Sequence, residues 1–349
     1  MSPPADAPAV DAPSAGVQAA AAPGGAEVVT YREAIRLALD DAMAADETVL
    51  LLGEDIAKAG GPFKTTVGLY EKYGADRVFD TPIAENGFCG IALGMALTGL
   101  RPVVEIMFSD FLPTAYDAIA MELPRWRFMS GGQTSAPVTV RASGGGGGRF
   151  GAQTSSTGES WFLQFYGLKI AVAGSPQGAY GLLRAAIAHN NPVVVFDHKA
   201  MHLRKGPLVR GDDRLAEVGK AVVVRPGSDV TVVASLLMVH RSLEAAEALA
   251  TEGIDVEVID ISWLRPLDMA TVAESVARTG RLVVAEEQYH DGGWGSAIIS
   301  RLATDGSDLA APPVAVSMPE ILISHSPPLE DAMIPSAARI ADAVRSVRA

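Results

Sequence analysis

The chain has 349 residues, 48% of them hydrophobic and 20% charged. At about 100–200 residues per domain this length predicts two domains, each able to bury a full core. Lys plus Arg number 28 against 41 Asp plus Glu, a net charge of −13. That balance excludes the basic footprint of a nucleic-acid binder and disfavours an anionic membrane surface. The single cysteine, Cys89, rules out an intramolecular disulfide and argues against a cysteine-built zinc site. The composition fits a reducing, cytoplasmic compartment.

Residues 1–27 read as a flexible tail, because Met1 to Ala26 are dominated by Ala, Pro and Gly. A docking arm for a partner is the alternative. The first basic residue is Arg32, so neither a secretory signal nor an arginine-rich presequence is predicted. No apolar run reaches the roughly 20 residues of a membrane span.

From there strand and helix patterns alternate. Thr30 caps a helix predicted over Tyr31 to Ala45, with Glu33 as its capping-box partner. Thr48–Gly53 is an apolar run typical of a buried parallel strand. Asn86–Thr98 is apolar and rich in small residues all round, which predicts a buried helix whose Gly90 and Gly94 allow close packing. Val103–Met107 is a strand, and Thr114–Met129 a helix that Pro124 should kink or end. Pro137–Arg141 is a strand leading into the glycine run Gly144–Gly148. Leu168–Ala173, Gln177–His189 and Pro192–Asp197 read as strand, helix, strand.

Residues 28–204 thus form one predicted domain, 205–220 a polar linker and 221–349 a second domain. Its predicted strands are Val230–Ala234, Val256–Ile261 and Leu282–Ala285. Its helices are Arg241–Thr251, Asp268–Thr279, Ser296–Thr304 and Ala337–Val347. The fold class is α/β with two mostly parallel sheets.

Several motifs compete for the chemistry. Gly146, Gly148 and Gly151 satisfy G-x-G-x-x-G, but no amphipathic helix follows and no acid lies about 20 residues on. A mobile loop is predicted there instead of a dinucleotide site. His198 and His202 have i, i+4 spacing without H-E-x-x-H, so zinc is not expected, and G-x-S-x-G is missing. Two acids stand where ligands bind in parallel sheets, at carboxyl ends of strands. Glu54 follows the Thr48–Gly53 strand, and Glu85 begins the small-residue helix. Burial would raise the Glu85 pKa and the helix N-terminus would lower it. Phe108 and Phe111 follow the next strand, either as core or as a platform for a flat heteroaromatic ring.

The runs LLGED, RVFDTPIAENGFCGIALGMALTGLRPVVEIMFSDF, MSGG, GAQ and NNPVVVFDHK, followed by GSDVTVVA, GIDVEVID, LRPLD, TGRLVVAEE and GGWGSAI, occur in that order. Together they resemble the β subunits of thiamine-diphosphate-dependent 2-oxo acid dehydrogenases of the pyruvate, branched-chain and acetoin types. The resemblance covers residues 28–349. It implies a pyrimidine-binding parallel-sheet domain followed by a transketolase C-terminal-like α/β domain. It also implies oxidative decarboxylation of a 2-oxo acid, with acyl transfer to the lipoyl domain of an acyltransferase. By the same resemblance Glu85 hydrogen-bonds the aminopyrimidine of thiamine diphosphate, Phe111 packs on that ring, and Glu54 and Ile83 line the pocket. Carbonyls at Val138, Ala186, Ile187, His189 and Asn191 match a structural potassium site, with His189 departing from the acid often found there.

The magnesium-diphosphate signature of the superfamily is missing: Gly211-Asp212-Asp213 lacks both the second glycine and the asparagine partner. The resemblance puts that half-site and its Mg2+ on an α subunit, in an α2β2 heterotetramer, and makes Asn86–Thr98 a candidate interface helix. One departure bears on the acceptor. The family usually reads A-Q-H-S, whereas this chain has Ala152-Gln153-Thr154-Ser155. That histidine is the family's proton donor in lipoyl acylation, and a threonine hydroxyl does not ionise near neutral pH. Ser262 and Pro124 are further departures. A carboligase with an aldehyde or ketone acceptor is therefore the alternative, and a non-catalytic assembly subunit a second one.

Overall fold

The computed structural model describes residues 25–211 and 217–348. Most of the expected tail, and Asp212 and Asp213 of the expected linker, lie outside the described residues.

The first unit opens with β1 (Glu27–Thr30) and α1 (Tyr31–Ala45), then β2 (Val49–Gly53), α2 (Leu69–Tyr73) and β3 (Val78–Asp80). It continues through α3 (Glu85–Leu97) and β4 (Arg101–Ile106) to a 3-10 turn over Ser109–Ala115. A wide π-type turn at Asp117–Glu122 leads into α4 (Leu123–Met129). Then come β5 (Thr139–Gly144), β6 (Lys169–Val172), α5 (Pro176–Ala188), β7 (Val193–His198) and β8 (Lys205–Leu208). The second unit holds β9 (Val222–Arg225), β10 (Val230–Ala234), α6 (Leu237–Ala250), β11 (Val256–Asp260), β12 (Trp263–Arg265) and α7 (Met269–Thr279). It ends with β13 (Leu282–Tyr289), α8 (Trp294–Thr304), β14 (Val314–Met318), α9 (Pro327–Met333) and α10 (Ala337–Arg348).

Two larger sheets carry the molecule. The first has the order β12-β6-β7-β5-β4-β2-β3, and the second β14-β13-β10-β11-β9. Within the first, β3, β2, β4, β5, β7 and β6 run parallel. Their carboxyl ends therefore share one edge, and the segments leaving β2, β3, β4, β5 and β7 converge there. The edge strand β12 is antiparallel to β6 although it comes from the second half of the chain. It stitches the two units together. Gly53 ends β2 where only a glycine fits, since an added Cβ would lie 2.5 Å from the Glu105 carbonyl on β4.

Four expectations need correction. Residues Lys205–Leu208 are not linker but strand β8, paired antiparallel to β1, which claims Glu27 from the expected tail. Pro124 does not interrupt a long helix. It sits in the first turn of α4, where its missing N–H costs nothing, and the wide turn before it supplies the break. The glycine run is pinned: Gly145 N–H donates to Ser156 O, Gly146 N–H to Glu287 Oε1 and Gly147 N–H to Glu330 Oε1. The Gly146 and Gly147 amides, which could cradle a phosphate, are taken by carboxylates of the second unit. Finally, α3 is buried only along Phe88, Cys89, Ala92, Leu93 and Ala96. Its other face, with Gly87, Gly90, Ile91 and Gly94, is open. Among the described residues no helix is long and apolar enough to cross a membrane.

Candidate active site

Glu85 is the first residue of α3 and is half-buried. It is not enclosed as expected, because Ile83 beside it is 83% exposed and Gly87 is also open. The rim of the site is bare on this side. Glu54 stands across from it, one residue beyond β2. Burial raises the Glu54 carboxyl above its ordinary value, and the negative charge of Glu85 raises it further. Its Oε1 is buried without a hydrogen-bond partner. A proton donor from a ligand would satisfy that oxygen.

Phe111 lies on the 3-10 turn after β4 and is partly buried. Its ring meets Phe108 edge-on, with centroids 5.6 Å apart, and Phe108 meets Phe150 at 5.8 Å. An aromatic shelf therefore runs from Phe111 towards the glycine run. Asp110, between the two phenylalanines, accepts from Ser156 N–H through Oδ1 while Oδ2 is buried and unpartnered. Burial raises its carboxyl pKa despite the Ser156 bond and the nearby Lys199.

Thr154 stands at the far end of this shelf, half-buried, with its hydroxyl donating to Phe150 O at 3.4 Å. Lys199 donates to the Thr154 carbonyl. His198, the last residue of β7, donates from Nε2 to Glu287 Oε2 at 2.9 Å and accepts Ala200 N–H at Nδ1. His202 bonds Asp197 at 2.8 Å. Both histidines thus have carboxylate partners, and among the described residues no group of three or more His, Cys, Asp or Glu could hold a metal.

The residues expected around potassium lie elsewhere, at the C-terminus of α5. Arg101 Nη1 bonds the carbonyls of Ile187, Ala188 and His189 at 3.2–3.3 Å. The Val138 carbonyl accepts Val193 N–H, and that of Ala186 accepts His189 N–H. Asn191 donates its N–H to His189 Nδ1 at 2.9 Å. Burial, with Lys169, Arg101 and Arg127 nearby, lowers the His189 pKa.

Glu54, Glu85, Phe111 and Ile83 all follow strands that end at one edge. Lys199, Asp110 and Glu287 were missed. The signal available for Lys199 and Asp110 was position alone, since each follows a strand that ends at this edge; Glu287 reaches it from β13 of the second sheet.

A sheet edge lined by a carboxylate pair and an aromatic shelf, backed by a second α/β unit, is the kind of crevice in which parallel α/β sheets bind ligands. Residues 27–202 match the family "Transketolase, pyrimidine binding domain", and residues 219–340 match "Transketolase, C-terminal domain". The chain is 40% identical over 323 residues to the pyruvate dehydrogenase E1 component subunit beta of Chaetosphaeridium globosum, covering 92% of this chain and 98% of that one. It is also 40% identical over 331 residues to the acetoin:2,6-dichlorophenolindophenol oxidoreductase subunit beta of Cupriavidus necator, covering 92% and 97%. A solved "Split gene transketolase, inactive beta4 tetramer" shares the fold, with a TM-score of 0.75 at 24% identity over 92% of this chain and 98% of that one. The chain belongs to the β-subunit family of thiamine-diphosphate-dependent 2-oxo acid dehydrogenases.

Proposed function

We propose that this chain holds the aminopyrimidine half of thiamine diphosphate between Glu85 and Phe111, with Glu54 and Ile83 at the rim. The observation that carries the reading is the buried, unpartnered Glu54 Oε1 beside Glu85, at the edge where six parallel strands end. When bound, the coenzyme supplies a carbon nucleophile that takes up a 2-oxo acid and lets its carboxylate leave as CO2. Glu85 holds a proton at the pyrimidine ring and sets its tautomer. Phe111 offers a flat face to that ring, and the apolar residues of α3 behind Glu85 keep water from one side of the carboxyl.

The diphosphate and its Mg2+ belong to an α subunit in this reading. The open face of α3 supports it: Ile91 is 56% exposed, and an added Cβ at Gly90 or Gly94 meets nothing within 4 Å. Such a face fits a second helix at close range. The assembly is an α2β2 heterotetramer in the cytoplasm. The 2-oxo acid is pyruvate or a related acid, and the acyl unit passes to a lipoyl domain. An aldehyde or ketone acceptor is the second reading, favoured by Thr154 standing where an imidazole would carry the proton. Potassium at the carbonyls of Val138, Ala186, Ile187, His189 and Asn191 fits less well. The Arg101 guanidinium already serves Ile187 and His189, and a cation there would meet three basic side chains.

The test is the purified αβ complex with thiamine diphosphate, Mg2+ and a panel of 2-oxo acids. CO2 release is the expected outcome, and Glu85→Gln should reduce it by about 100-fold or more. An unchanged rate in E85Q supports the assembly role instead. Acylation of a lipoyl domain selects the dehydrogenase reading; consumption of an added aldehyde alone selects the carboligase.

A further inference from the structure

We propose that Lys199 is the proton-transferring side chain at the aromatic shelf between Phe111 and Thr154, serving the acceptor of the acyl unit. The proposal rests on the functional reading above and adds a residue to it.

Lys199 follows β7 directly, and only 8% of its surface is exposed. Its Nζ donates to the Thr154 carbonyl. It lies 5.1 Å from the Phe108 ring centroid and 5.5 Å from that of Phe150. Among the described residues no carboxylate lies within ion-pair distance. An ammonium sunk among rings and one carbonyl has lost much hydration without gaining a counter-ion. The Phe108 ring that it faces is the one packed edge-on against Phe111. The amine thus sits one aromatic ring away from the residue assigned to the pyrimidine.

The surroundings favour an exchangeable proton. Burial pulls the Lys199 pKa down to about 8, against the charges of Asp110, Glu287, Asp197 and Glu330. Those acids come from four of the elements around it: the turn after β4, then β13, β7 and α9. A pKa near the working pH suits general acid–base transfer. The Thr154 hydroxyl beside it cannot do this work.

The proton balance is simple. If the acceptor is a cyclic disulfide, the S–S bond breaks, one sulfur bonds the acyl carbon, and the other takes the electron pair and a proton. If it is an aldehyde, a C–C bond forms and the carbonyl oxygen takes the pair and a proton. In both cases Lys199 gives up one ammonium proton, becomes a neutral amine and is recharged from water.

The experiment uses the αβ complex with thiamine diphosphate, Mg2+ and the 2-oxo acid that it decarboxylates. Transfer to the acceptor should fall as pH rises through about 8, the Lys199 value. Lys199→Arg keeps a positive charge that does not titrate below pH 12. It should keep the wild-type melting temperature, lose transfer by about 100-fold, and lose the alkaline limb. Lys199→Ala should recover part of its rate with added methylamine. A readout independent of turnover is acetic anhydride labelling across pH, with peptide mass spectrometry. Half-maximal reactivity at Lys199 is expected near pH 8, while exposed lysines follow at about 10.4. Labelling of Lys199 together with the exposed lysines overturns the proposal. So does a K199R complex that keeps the wild-type alkaline limb. A complex that decarboxylates no 2-oxo acid overturns the functional reading, and this inference with it.

Discussion

His198, at the end of β7 in the first sheet, donates through Nε2 to Glu287 of β13 in the second, at 2.9 Å. Burial alone would raise the Glu287 carboxyl, but His198 and the Gly146 amide hold it below the ordinary range. The pair ties the two sheets together directly beneath the glycine run. Gly145 lies against it with φ of +87°, and an added Cβ would stand 1.9 Å from His198 Nε2.

Gly145→Ala should therefore cost about 2–4 kcal/mol, because a positive φ and a clash with the imidazole add together. Gly253, with φ of +75° and nothing within 4 Å of its added Cβ, is the control. Its alanine variant should lose only about 1 kcal/mol. Urea denaturation compares the two; equal losses would mean that the glycine run is not pinned.

Arg141 on β5 hydrogen-bonds Glu105 of β4 at 2.5 Å and forms an ion pair with Asp197 of β7 at 2.8 Å, all buried. Burial would raise Asp197, but Arg141 and His202 bring it down to about 2. A depressed carboxylate contributes stability above its unfolded pKa, near 3.9, and this is lost as pH falls from about 4 towards 2. Arg141→Met strands two buried anions and should cost about 3–5 kcal/mol at pH 7. The deficit should shrink below pH 4 as Asp197 takes up a proton. A denaturation series across pH reads both features.

Glu159 is buried near Glu286 and Glu287, and burial, with those two charges, pushes its pKa up to about 8. The native state keeps a proton that the unfolded chain releases near pH 4.3. Stability should therefore decline as pH rises from about 4 to about 8. Glu159→Gln removes this contribution. The variant should match wild type at pH 4 and exceed it by about 1–2 kcal/mol at pH 8. Calorimetric melting at the two values decides it.

Much of the fold was legible because burial leaves periodic traces. The continuous apolar run ending at Gly53 and the cap at Thr30 were read within a residue of β2 and α1. The motif around Glu85 was read at a helix start, where α3 begins. Short pieces were not legible: β8 and β12 have four and three residues, too few for a pattern, and their partners lie far along the chain. The pinning of Gly144–Gly148 was hidden for the same reason, since glycine composition speaks of freedom and says nothing of what the amides will bind.

Taken alone, the order of residues determined the strand–helix alternation, the division into two α/β units and the acids and aromatics that mark the family. Tertiary structure alone decided which side chains meet. Asp110, Lys199 and Glu287 are far apart in sequence, and each is unremarkable where it stands. Parallel strands end on a common edge, so residues that follow different strands are brought to one place. There loss of water changes their proton affinities, and no local pattern records that.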